Sequence, residues 1–275
     1  MKTTIGVCIG ASTVSFVRLH ENACNDIVID DVLSLTHNGN PKTIFFENLK
    51  KFNPNKEPVV VTGRKFRNLV NLTEISEPEA IEYSLDFIKR NNEKYTAVAS
   101  LGGETFMVYT LDDDSKISNI ITKNQCASGT GEFFLQQIKR MDIGLEKVIN
   151  IAKDAQPYKV TGRCSVFCKS DCTHALNKGT PVAEVSAGLA DMMADKVIEL
   201  LKKTKDGKIL VIGGVTKNSA VMHFLGEKIK LMEVPKEATY FEALGAALYG
   251  FKNNVKALES FDDILIHRES SFVFH

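Results

Sequence analysis

The chain has 275 residues, of which 44% are hydrophobic and 25% charged, proportions that fit a globular protein with a sizeable core and exclude a disordered one. Lysine plus arginine and aspartate plus glutamate both number 34, so the formal charge is zero. A formal charge of zero makes nucleic acid and anionic membrane poor first readings, because both need a basic face to replace counterions, and no stretch approaches the roughly 18 uninterrupted apolar residues of a membrane span.

The opening residues, Met1 to Cys8, carry one basic residue and an apolar run broken by Thr and Gly. They continue into the alternation Thr13-Val14-Ser15-Phe16-Val17-Arg18-Leu19, which suits a strand better than a secretion signal, so the chain is expected to be cytoplasmic. Ile5 to Leu19 reads as one strand interrupted at Gly10, with Ile27 to Leu35 as its antiparallel neighbour. Lys42 to Phe52 is a weak helix. Pro58 to Gly63 has the apolar run and terminal glycine of a buried parallel strand, and Pro78 to Lys89 reads as a helix with proline in its first turn.

The pattern then restarts. Thr96 to Gly103 is a strand ending in a glycine pair, and Thr105 to Leu111 and Lys116 to Thr122 are strands around the acidic turn Asp112-Asp113-Asp114-Ser115. Gly131 to Arg140, Leu145 to Ala152 and Pro181 to Lys203 read as helices. Lys208 to Ile212 is a buried strand leading into Gly213-Gly214. A helix from Lys217, a strand near Ile229 to Glu233 and a helix from Tyr240 to Phe251 complete the pattern. Polar residues from Arg90 to Tyr95 mark the expected boundary between halves 1–93 and 94–275, in an α/β fold with mixed sheets.

Three strand ends carry small residues: Gly10-Ala11-Ser12-Thr13, Gly102-Gly103 and Gly213-Gly214. Backbone N–H groups reach a polyphosphate only where side chains are small, but strands also end in glycine for turn geometry alone, and both readings stand. None matches the P-loop or the dinucleotide spacing. A fourth element, Cys126-Ala127-Ser128-Gly129-Thr130-Gly131-Glu132, runs straight into a helix. Its glycines, hydroxyls and helix N-terminus suit an anion; alternatively Ser128 or Thr130 simply caps the helix.

The six cysteines are Cys8, Cys24, Cys126, Cys164, Cys168 and Cys172. In a reducing compartment such clusters point to metal or redox chemistry more often than to disulfides. Cys126, just before a helix, reads equally as a metal ligand or as a small buried hydrophobe, and so does Cys164. Cys164, Cys168 and Cys172 are four apart and would share one helical face, where a packed stripe is the commoner outcome for the latter two. Cys8 belongs to a strand, and Cys24 to a loop.

Asn124-Gln125-Cys126-Ala127-Ser128-Gly129-Thr130-Gly131 and Gly162-Arg163-Cys164-Ser165-Val166-Phe167 resemble the activators of (R)-2-hydroxyacyl-CoA dehydratases and the related benzoyl-CoA reductase ATPase subunits. Leu210 to Asn218 resembles that family's adenosine loop, and Glu242-Ala243-Leu244-Gly245-Ala246-Ala247 its closing helix. The resemblance implies an actin-like ATPase fold of two ribonuclease-H-like halves with nucleotide in the cleft. It implies that ATP or ADP, with Mg²⁺, meets Gly10, Ala11, Ser12, Thr13, Gly102, Gly103, Gly129, Thr130, Gly131, Gly213, Gly214, Val215, Asn218 and Gly245. It further implies a homodimer sharing one [4Fe–4S] cluster through Cys126 and Cys164 of each chain. Such an activator passes a low-potential electron from a ferredoxin- or flavodoxin-type donor to an iron–sulfur dehydratase or reductase.

The departures from the family are specific. Its first phosphate motif has an acid where this chain has Cys8 and a lysine where it has Ser15. Its second begins with an acid where Ser100 stands and continues Gly-Gly-Gln-Asp where this chain has Gly102-Gly103-Glu104-Thr105. Those acids hold Mg²⁺ and its waters, so their loss weakens the case for fast hydrolysis and leaves Glu104 as the candidate metal-side carboxylate. A non-hydrolysing, regulatory nucleotide-binding member of the same family is the second expectation.

Overall fold

The computed structural model describes residues 2–63, 70–88, 94–122, 130–162, 164–262 and 264. Alternating apolar side chains fold the first stretch into an antiparallel meander of β1 (Thr3–Ile9), β2 (Thr13–Glu21) and β3 (Ile27–Thr36). The segment expected as one interrupted strand is therefore two. Gly10 closes a tight turn, its N–H donating to the Thr13 carbonyl at 2.9 Å, and the returning strand sets Phe16 opposite Val7. Helix α1 (Pro41–Phe52) starts where the Asn40 side chain accepts the Thr43 N–H, and it buries Phe45, Leu49 and Phe52. β4 (Val59–Thr62), three valines and a threonine buried throughout, pairs parallel with β1, and the short β5 (Thr73–Glu74) pairs parallel with β4. Helix α2 (Glu77–Ile88) closes this run.

The plan then repeats. β6 (Tyr95–Leu101), β7 (Phe106–Leu111) and β8 (Ile117–Thr122) form a second meander. Four helices follow: α3 (Gly131–Arg140), α4 (Leu145–Lys153), α5 (Ser165–Asn177) and α6 (Val182–Leu201). β9 (Lys208–Ile212), α7 (Ser219–Lys228), β10 (Met232–Glu233) and α8 (Phe241–Lys252) complete the described elements. The sheets run β3-β2-β1-β4-β5 and β8-β7-β6-β9-β10. In each, the first strand pairs antiparallel with the second and parallel with the fourth, so the two halves share one ribonuclease-H-like strand order. Helix α5 has no counterpart in the pattern read from the sequence. Its apolar residues do not form one stripe: Val166 and Phe167 are exposed while Cys168, Cys172 and Ala175 are buried.

The chain divides into two compact units, Met1–Phe87 with Glu242–His275, and Ile88–Phe241. Helix α8, which a linear division gives to the second half, falls almost wholly in the first unit. There Gly245 packs on α2 so closely that a Cβ would come within 1.8 Å of the Ala80 carbonyl oxygen. The core of the first unit gathers Ile5, Val7, Phe16, Phe45 and Leu49. That of the second gathers Leu101, Val108, Phe134, Leu189 and Val211. Among the described residues no helix is long and apolar enough to cross a membrane.

Candidate functional site

In the first unit the turn Gly10–Thr13 joins β1 to β2. Cys8, half-buried, stands opposite Ser15 of β2 and Thr62 of β4, and Ser15 stands opposite Ser34 of β3. Directly opposed residues share a face of the sheet, so Thr62, Cys8, Ser15 and Ser34 form one row across four strands. The Ser15 and Ser34 hydroxyls hydrogen-bond at 2.9 Å, and Thr62, fully buried, has no hydrogen-bond partner for its hydroxyl among the described residues. The row is polar and uncharged. The buried ring of His37, which no local sequence pattern singled out, lies against the Gly10 carbonyl.

The second unit repeats the turn. The Gly102 N–H donates to the Thr105 carbonyl at 3.1 Å, matching the Gly10 to Thr13 bond, and Ser100 is the penultimate residue of β6 as Cys8 is of β1. Glu104 is exposed at this turn. The N-terminus of α3 packs against this turn. The Gly131 N–H donates to the Gly102 carbonyl at 3.4 Å and the Glu132 N–H to the Gly103 carbonyl at 2.8 Å, so these two amides are already engaged. Thr130 provides no side-chain cap. Gly131 is small because it is crowded: a Cβ there would lie 2.9 Å from Val215 Cγ2 and 3.3 Å from the Gly102 oxygen. Gly102, Gly103, Gly131 and Val215 thus meet in one place.

The glycine pair after β9 divides its duties. Gly213 has φ 100° and ψ 169°, its N–H donates to the Ala238 carbonyl at 2.7 Å, and a Cβ would meet the Leu101 oxygen at 2.5 Å. Packing alone demands glycine there. Gly214 has nothing within 4 Å of a would-be Cβ, so no neighbour in the described chain demands it. Asn218, expected at the nucleotide, spends its side-chain oxygen on capping α7, accepting from the Ala220 and Val221 amides at 3.2 Å each. Gly245 belongs to α8 of the first unit. Gly129 and Cys126 lie outside the described residues.

Cys164 occupies the N-cap of α5, with extended backbone, and its side chain takes no part in capping. No acid stands in the first turn of that helix. The thiol is partly exposed, and Val166 and Phe167, in the first turn of the helix, are 69% and 64% exposed. The chain leading to Cys164 is held from outside the helix start. The Tyr158 N–H donates to the Glu184 carbonyl at 2.9 Å and the Thr161 N–H to the Asp171 carboxylate at 2.8 Å. Cys168 and Cys172 face the other way, into the core of the second unit. The hydrogen bond to Cys172, followed by burial, holds the Cys168 thiol far above its ordinary range, so it stays protonated. Among the described residues no three His, Cys, Asp or Glu side chains gather as they would around a metal ion.

The model of the BadF/BadG/BcrA/BcrD ATPase family matches residues 50–250. The 2-hydroxyisocaproyl-CoA dehydratase activator of Clostridioides difficile is 26% identical over 256 residues, which cover 90% of this chain and 94% of that protein. The (R)-2-hydroxyglutaryl-CoA dehydratase activating ATPase of Acidaminococcus fermentans is 25% identical over 262 residues, 92% of this chain and 98% of its own. The solved structure of the activator of the 2-hydroxyisocaproyl-CoA dehydratase from Clostridium difficile, with bound ADPNP, superposes with a TM-score of 0.78 at 25% identity, covering 94% of this chain and 100% of that one. The fold is the actin-like ATPase fold.

Proposed function

Since the chain belongs to the BadF/BadG/BcrA/BcrD ATPase family, we propose that it is an ATP-dependent activator of a partner enzyme acting on CoA thioesters. In this reading it works as a homodimer that holds one [4Fe–4S] cluster through Cys126 and Cys164 of each copy. A ferredoxin- or flavodoxin-type donor stands upstream, and an iron–sulfur dehydratase or reductase is the acceptor.

The observation that carries the reading is the situation of Cys164: a thiol at a helix N-cap, free of capping duty, beside two exposed apolar side chains. A soft sulfur donor in that position fits an iron–sulfur cluster, and two per chain make the usual four only when two copies meet. When bound, such a cluster supplies one-electron chemistry at low potential. The chain's own contribution is to fix the approach to Cys164 through Thr161, Asp171 and Tyr158. Nucleotide is bound through its adenosine at Gly214 and Val215 and through its phosphates at the turn Gly102–Gly103, with Gly10–Thr13 as the phosphate turn of the first unit. Magnesium fits less well. It seeks oxygen ligands, Cys8 and Ser100 supply no carboxylate, and the ion is left to the nucleotide's own phosphates, with Glu104 as the candidate side chain.

Anaerobic purification tests the proposal: the expected result is a brown dimer with about four irons, and a Cys164→Ala variant that loses them. A colourless monomer that stays free of iron after reconstitution overturns it. A second reading, a nucleotide binder that does not hydrolyse, is favoured by one feature: both units lack the acid at the same place in their first strands, Cys8 in β1 and Ser100 in β6. It predicts ADP and ATP binding with negligible phosphate release, and brisk turnover with Mg²⁺ would remove it.

A further inference from the structure

We infer that His37 is a positioning residue for the turn Gly10–Thr13, an inference that rests on reading this turn as a phosphate loop. β3 ends at Thr36, paired with Thr13 at the start of β2. His37 extends that ladder by one rung, its own N–H donating to the Ser12 carbonyl at 3.0 Å. The chain then reverses through Asn38 and Gly39, at φ 48° and 85°, and the Asn40 N–H closes the turn on the His37 carbonyl at 2.8 Å. Asn-Gly is the pair that accepts two left-handed residues in succession at least cost.

This second turn aims the imidazole. The Gly39 N–H donates to Nδ1 at 3.1 Å, which makes Nδ1 the acceptor and leaves the ring proton on Nε2. Nε2 in turn donates to the Gly10 carbonyl oxygen at 3.2 Å, and the side chain is buried, with 5% of the residue exposed. His37 therefore grips the turn twice, at Ser12 through its backbone and at Gly10 through its ring.

The grip at Gly10 has a chemical consequence. A trans peptide is planar, with its C=O and the following N–H pointing in opposite directions. With the Gly10 oxygen held against the imidazole, the Ala11 N–H of the same peptide is directed to the other side. Glycine resists rotation poorly, and without the ring this peptide is free to flip and present its oxygen where an anion needs a donor. His37 locks the polarity of the loop without touching the ligand.

The test compares ADP with adenosine, because their affinity ratio isolates what the phosphates contribute. Calorimetry on the full chain is expected to give a ratio roughly five- to tenfold lower for His37→Asn, with adenosine affinity unchanged, as for the loss of one positioning hydrogen bond. Asparagine still accepts the Gly39 N–H but cannot reach Gly10. His37→Gln, long enough to donate to Gly10, is expected to restore most of the ratio. An Asn variant with the wild-type ratio overturns the inference. Independently of any variant, imidazole ¹⁵N shifts of the wild-type protein should report the Nε2–H tautomer, and an Nδ1–H tautomer overturns the inference as well. A wild-type chain that binds ADP no better than adenosine is a different failure: it removes the phosphate-loop reading itself, and the inference with it.

Discussion

Replacing each glycine of the pair Gly213-Gly214 by alanine should have opposite consequences, although the two substitutions are chemically identical and adjacent. Gly213 sits at φ 100° and ψ 169°, a region open essentially to glycine alone, so an alanine there starts with a backbone cost of about 1–3 kcal/mol. Its Cβ would also lie 2.5 Å from the Leu101 oxygen, 2.8 Å from the Leu101 carbonyl carbon and 2.9 Å from its nitrogen. These are backbone atoms of β6, which pairs in parallel with β9 up to Ser100 and Ile212, so relief requires prising the two central strands apart at their ends. Adding the strained Gly213–Ala238 hydrogen bond, Gly213→Ala should lose about 3–5 kcal/mol, a large share of the roughly 5–15 kcal/mol that holds a domain folded. At Gly214 a Cβ meets nothing within 4 Å. Gly214→Ala should therefore leave stability within about 0.5 kcal/mol of wild type, yet weaken ADP binding about tenfold if that open space is where the nucleotide lies. Urea unfolding followed by far-ultraviolet circular dichroism, with ADP titration of the folded variants, reads both quantities. A Gly213→Ala protein as stable as wild type would refute the packing argument. A Gly214→Ala protein with undiminished ADP affinity would refute the assignment of that space.

Other outcomes follow from the same geometry. Asn218→Ala should lower stability by about 1 kcal/mol through loss of the α7 cap, and Asn218→Asp should recover it in a thermal melt. Cys168→Ala and Cys172→Ala should retain the iron that Cys164→Ala loses, since their thiols face the core; loss of iron in either would make them ligands. Stability should decline on the alkaline side. Burial pulls the Lys228 ammonium down, but its bonds to Asp191 and Asp195, both at 2.5 Å, more than reverse this and raise it above its ordinary 10.5. Burial, then the charge of Glu237, raises the Tyr240 phenol above 10.0. Both groups are raised in the folded state, so their contribution is intact below the unfolded values and lost as pH climbs through the folded ones. Urea midpoints should hold steady up to about pH 9 and fall beyond it, with a shallower fall in Lys228→Met.

The strands were legible because burial writes itself into local composition. Val59, Val60 and Val61 are apolar and buried, with Thr62 buried after them, and Thr13 to Leu19 forms the strand its alternation suggests. The break at Gly10 was visible, but not that the chain folds back there, since reversal depends on pairing with Val7 and Cys8 rather than on the glycine itself. Helix α5 escaped for the converse reason. Its exposed Val166 and Phe167 and buried Cys168 and Cys172 obscure the stripe on which a helix reading depends. At the site, glycine identity could be read and glycine purpose could not. Gly213, Gly245 and Gly214 look alike in the sequence; only the Leu101 and Ala80 oxygens, remote along the chain, separate the first two from the third.

The same limit explains why the supports of the two hairpin turns went unseen. Both turns are closed by one type of bond, Gly10 to Thr13 and Gly102 to Thr105. In both units the support comes from the connection that leaves the third strand. After β3 it is His37, whose ring reaches the Gly10 carbonyl. After β8 it is the start of α3, whose Gly131 and Glu132 amides take the Gly102 and Gly103 carbonyls. One topology thus turns the glycine carbonyls of each turn toward a donor in its own unit, once with a side chain and once with a helix end. Neither device has a sequence signature, because the residues it joins are separated by a whole strand pair. On the proposed nucleotide reading, both leave the turn's remaining N–H groups to meet an anion, and the resemblance, in which an acid stands at Cys8 and at Ser100, gives that role more weight in this chain. On that reading, with no carboxylate at either position to hold a metal beside the phosphates, correctly oriented peptides would carry a larger part of the binding.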